Sequence, residues 1–121
     1  MMKKKTLVLG ASDNPSRYSF LALQSLVRHE HPVVALGIKE GLVAGVPIVT
    51  ARPADTDFDT VTLYLNPAHQ KDYYDYILSL HPKRLLFNPG AENEELAEMA
   101  AAKGIQPVEA CTLVLLSTGQ Y

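Results

Sequence analysis

The chain has 121 residues, 47% of them hydrophobic and 20% charged, with a formal net charge of -2. That length makes one domain with a core of its own and leaves no room for a separate substrate domain, so a single domain over 1–121 is expected. The near-neutral charge argues against a nucleic-acid partner, and no apolar run approaches membrane-spanning length.

A lone cysteine, Cys111, allows no internal disulfide and suits a reducing cytoplasm. Lys3-Lys4-Lys5 before a short apolar run imitates a leader only superficially, because the run breaks at Gly10 and polar residues follow.

Leu7 to Leu9 form the continuous apolar run of a buried strand. It ends in Gly10-Ala11-Ser12, and a helix is expected from about Pro15 to His29, with Asn14 as cap and Pro15 in its first turn. A small-residue turn feeding a helix N-terminus offers backbone N–H groups and the positive end of the helix dipole, which together attract anions. Gly10, Ala11, Ser12, Asn14 and Arg17 are therefore the candidates for a phosphate site. The glycine fingerprint of dinucleotide sites is incomplete. Ser12 and Pro15 stand in place of its second and third glycines, which disfavours ordinary NAD. A structural turn without a ligand is the competing reading, and Arg17 reads equally as a phosphate partner or a solvated side chain.

Pro32 stops the helix, and Val33 to Leu36 make the second strand. Gly37 to Gly45 reads as irregular and Val46 to Val49 as a short edge strand. NAD enzymes carry an acidic residue after the second strand to hold the ribose hydroxyls; this chain has Lys39 there, while Glu30 lies before Pro32 at the wrong end. A lysine suits a ribose phosphate, the 3′-phosphate of coenzyme A or the 2′-phosphate of NADP. Beside Glu40 it also reads as an ordinary surface lysine.

A third strand is expected at Val61 to Leu65, followed by a helix from about Pro67 with Tyr73, Tyr76, Ile77 and Leu80 on one face. Arg84 to Phe87 is another strand, and a helix runs from about Glu92 to Lys103 with Gly104 at its end. Gln106 to Glu109 and a helix around Thr112 to Leu116 complete the chain. Such alternation predicts an α/β fold in three layers, a doubly wound and mostly parallel sheet of five or six strands between helices.

Ligands of such sheets bind beyond the carboxyl ends of the strands, where the strand order reverses. Asn14-Pro15, Asn66-Pro67 and Asn88-Pro89 all fall on that edge, so Asn66, Pro67, Asn88, Pro89 and Gly90 join the candidate site. Asn-Pro is also plain helix-start punctuation. Glu92, Glu94 and Glu95 would repel a phosphate from the third of these turns, which leaves a diphosphate to the first. The four histidines form no metal-ligand spacing, Cys111 reads as a buried thiol, and no catalytic set emerges.

With these residues in view, the chain resembles the small CoA-binding proteins with a Rossmann-like fold, relatives of the N-terminal CoA-binding domain of the succinyl-CoA synthetase α subunit. The resemblance is carried by Val8 to Ser12 with Asn14 to Ser19, by Gly45 to Ile48, by Asn88 to Ala91 with Asn93 to Glu95, and by Ala102 to Ile105 leading to Glu109-Ala110-Cys111. It implies CoA phosphates near Gly10, Ala11, Ser12 and Arg17, the adenosine end near Lys39, and a cleft lined by Asn66-Pro67 and Asn88 to Gly90. Gly37-Ile38-Lys39-Glu40 stands where the family usually has Asn-Pro, and Leu86-Phe87-Asn88 where an aromatic-Leu-Gln usually precedes Pro-Gly. The synthetase's phosphohistidine belongs to a later domain, so ligase chemistry is not implied. The expectation is a binder of CoA or an acyl-CoA without catalysis of its own. An NADP-dependent oxidoreductase, or an interaction module that has lost its ligand, are the alternatives.

Overall fold

A computed structural model describes residues 3–121. Among the described residues seven strands form one sheet: β1 (Thr6–Leu9), β2 (Val33–Leu36), β3 (Gly41–Val43), β4 (Val46–Val49), β5 (Thr60–Leu63), β6 (Arg84–Phe87) and β7 (Gln106–Glu109). Five helices accompany them: α1 (Tyr18–Arg28), α2 (Pro67–Gln70), α3 (Tyr74–Leu80), α4 (Glu94–Ala102) and α5 (Thr112–Ser117). The strand order is β3-β4-β2-β1-β5-β6-β7, and every pairing is parallel except β3 with β4. From β1 the chain first moves to β2 on one side and later to β5 on the other, so the order reverses at β1.

Alternate residues of the central strands serve two cores. Leu7 and Leu9 join Ile77, Leu80, Leu96 and Ala100 of α3 and α4, while Val8 joins Leu23, Leu26 and Leu116 of α1 and α5. Helices thus cover both faces, which is why β1 and β5 are buried throughout. The three layers and the mostly parallel sheet are those expected from the sequence.

The sheet has more strands than the expected five or six because the stretch read as irregular contains β3. It folds back on β4 through Ala44-Gly45, whose φ values of 51° and 83° make the tight two-residue turn of a hairpin. Val46 to Val49 is consequently not the edge strand; β3 is.

The expected helix from Pro15 starts instead at Tyr18, with Arg17 in extended conformation as its cap. Asn14 does not cap it. Its Oδ1 accepts from the Ser16 N–H at 3.0 Å and the Ser16 hydroxyl at 2.8 Å, closing a local turn ahead of the helix. The helix expected from Pro67 is interrupted by a tighter 3-10 turn over Lys71–Tyr73, and α4 begins at Glu94 behind an Asn93 cap.

Candidate ligand-binding cleft

A cleft of about 1190 Å³ opens across the carboxyl ends of β1, β2, β5 and β6, at the point where strand order reverses. Of the eleven residues singled out in the sequence, Gly10, Ala11, Ser12, Arg17, Lys39, Asn66, Asn88, Pro89 and Gly90 line it. Asn14 and Pro67 do not; Asn14 lies in the turn ahead of α1, and Pro67 is the first residue of α2.

The first turn is locked to β2 and then left open. Gly10 and Ala11 both donate their N–H groups to Leu36 O, at 2.9 and 3.0 Å. Gly10 has φ of 94°, and a Cβ there would stand 3.0 Å from the Tyr64 carbonyl carbon, so the residue must be glycine for both conformation and space. At Gly37 a Cβ would come within 2.4 Å of Ala11 O. These contacts fix the turn but use up two of its amides. Ser12 and Asp13 N–H, and those of Tyr18 and Ser19 opening α1, make no hydrogen bond among the described residues. All four residues line the cleft. Ser16 and the exposed Arg17 line the same space. Two unused donors at the positive end of an eleven-residue helix, and two more in the turn that leads to it, suit an anion.

The other two Asn-Pro turns are satisfied internally. Asn66 Oδ1 caps α2 by accepting from His69 N–H at 3.0 Å. Asn88 is 3% exposed, and its amide is fully engaged. It donates to Thr62 Oγ1 at 2.6 Å and Leu63 O at 3.0 Å, and its Oδ1 accepts from Thr112 N–H at 2.9 Å. Asn88 therefore positions β5 and the start of α5, and offers the cleft no polar side-chain group. Gly90 N–H is bound by Glu92 Oε1 at 2.7 Å.

Several further residues form the walls. Tyr64 follows β5 into the cleft, and burial pushes its phenol up to about 12 against the opposing pull of the Thr112 and Thr62 hydroxyls. Tyr18, Ile38 and Tyr73 add apolar surface, and Ile38 is 90% exposed. Cys111 is half-buried and lines the cleft rather than sitting as a buried thiol. Alternation along β5 could have marked Tyr64; nothing local marks Tyr18 or Ile38. His69 also borders the cleft. Among the described residues no group of three His, Cys, Asp or Glu could hold a metal ion, and no helix is long and apolar enough to cross a membrane.

A doubly wound α/β domain with its cleft at the switch point defines a Rossmann-like ligand-binding class. The chain belongs to the CoA binding domain family, which its sequence matches over residues 4–117. A solved structure described as an uncharacterized protein is 50% identical, with each chain covered in full and a TM-score of 0.97. A hypothetical protein from Pyrococcus horikoshii is 22% identical over 96% of this chain and 83% of its own, with a TM-score of 0.85. A conserved hypothetical protein from Pyrococcus furiosus is 24% identical over 93% and 98%, with a TM-score of 0.78. These last two share the fold. No curated protein matches the chain.

Proposed function

We propose that the chain binds coenzyme A or an acyl-CoA in this cleft, as a binding module without catalysis of its own. The observation that carries the reading is the first turn: four unused amides, two in the β1–α1 connection and two at the head of α1, with Arg17 beside them and Lys39 after β2. The diphosphate would lie on Ser12, Asp13, Tyr18 and Ser19. The ribose phosphate would reach Lys39, and the pantetheine arm would run past Tyr64 toward Pro89, Gly90 and Cys111. Four strand steps separate β2 from β7, about 19 Å at the usual spacing, which accommodates an elongated ligand. Membership of a CoA binding domain family supports the choice.

Calorimetric titration with CoA, acetyl-CoA, NADP and NAD under identical conditions tests the reading. CoA or acetyl-CoA should bind more tightly than either dinucleotide. Tighter binding of NADP would replace the reading with a dinucleotide one, and no binding of any would leave an interaction module on this fold.

A further inference from the structure

Asp13 is an anomaly in a turn arranged for an anion. It lines the cleft, yet its carboxylate makes no hydrogen bond or ion pair among the described residues. A carboxylate beside a diphosphate weakens binding unless the ligand gives it a hydrogen to accept. The placement of its side chain shows which part of the ligand could do so. A Cβ built on Gly41 would meet Asp13 Oδ2 at 2.8 Å and its Cβ and Cγ at 3.0 Å. The side chain therefore leans back from the β1–α1 turn onto the start of β3, across the connection that carries Lys39. A diphosphate on the four amides and a ribose phosphate at Lys39 would put the ribose itself over Asp13.

We propose that Asp13 holds the ligand's ribose, its carboxylate accepting a hydrogen bond from the hydroxyl beside the phosphate-bearing carbon. In CoA that group is the 2′-hydroxyl. This inference rests on the CoA reading above. Dinucleotide enzymes perform the same task with an acidic residue at the end of the second strand. Here that place holds Gly37 and the Ile38-Lys39 pair, and the acid comes instead from the first turn. The carboxylate thus reads the sugar while Lys39 reads its phosphate.

The proposal fixes the sign of a mutation that charge alone would reverse. If Asp13 only repels a polyanionic ligand, Asp13→Ala should tighten binding. If it accepts the ribose hydroxyl, Asp13→Ala should weaken CoA binding about tenfold or more, in the range of a charge-assisted hydrogen bond. The experiment is a calorimetric cycle of parent and Asp13→Ala against CoA and its 2′-deoxy analogue, with thermal unfolding confirming an intact fold. The parent should lose about tenfold on going from CoA to the deoxy ligand, and the variant should lose little. Unchanged or tighter CoA binding by Asp13→Ala overturns the proposal, as does an equal loss for the deoxy ligand in both proteins. In those cases the CoA reading stands, because the parent still binds CoA. A parent that binds no CoA removes that reading and this proposal with it.

Discussion

The β1–α1 and β6–α4 turns leave neighbouring parts of one sheet edge, and both contain Asn-Pro, yet they finish their backbone differently. After β6, Asn88 satisfies three groups with its side chain, Glu92 takes the Gly90 N–H, and Asn93 caps α4 ahead of Glu94 and Glu95. After β1, Arg17 stands at the cap without a side-chain bond, and the N–H groups of Ser12, Asp13, Tyr18 and Ser19 are left unused among the described residues. Negative side chains complete one helix start, whereas the other lacks any acidic residue in its first turn. The first turn keeps donors free for the proposed ligand, whereas the second has already used its own.

The contrast is broken most severely at Asn88. Asn88→Ala strands the Thr112 N–H and Leu63 O in a buried site and should destabilise the domain by about 2–4 kcal/mol. Chemical denaturation measures this. Gly10→Ala forces a side chain into φ of 94° against the Tyr64 backbone and should cost about 1–3 kcal/mol while closing the first turn. Its signature is loss of both stability and ligand affinity.

Arg17→Ala has the opposite signature. Unfolding should be unchanged, while CoA affinity falls about tenfold to a hundredfold, the range of one charge-assisted hydrogen bond. Away from the cleft, Ala44→Gly relieves a non-glycine residue at φ of 51° in the β3–β4 hairpin, and should raise stability by about 0.5–1 kcal/mol without touching affinity.

A pH profile isolates the far edge of the sheet. His31 precedes β2, and its Nδ1 accepts from Lys4 N–H at 3.0 Å. Burial, with the nearby positive charges of Lys3, His29, Lys4 and Arg84, holds it below its ordinary value of 6.5. Between those two values the unfolded chain carries a proton that the folded one refuses, so stability falls as pH drops below 6.5 and levels off below the folded value. His31→Gln should flatten that part of the profile in denaturation curves taken at several pH values.

Much of the architecture was legible because tertiary context and local pattern agree. Val33–Leu36 and Arg84–Phe87 fall where the apolar runs place them, and Gly104 ends α4 as expected. The hairpin was hidden because its turn is Ala44-Gly45, and alanine carries no signal for positive φ. The start of α1 is not legible in the sequence because Asn-Pro serves both as a cap and as a local turn, and only the Ser16 contacts decide between them. The cleft's position follows from strand order, so its edge could be named in advance. Which amides stay unused depends on the Leu36 carbonyl and on Glu92, partners 26 residues from Gly10 and two from Gly90, whose roles the sequence alone does not reveal.

The most direct test follows backbone amide resonances in a ¹⁵N-labelled sample titrated with CoA. The largest shifts are expected at Ser12, Asp13, Tyr18 and Ser19, with Asn93 and Glu94 at the head of α4 nearly still. Shifts concentrated at the head of α4, with the four first-turn amides silent, would contradict it.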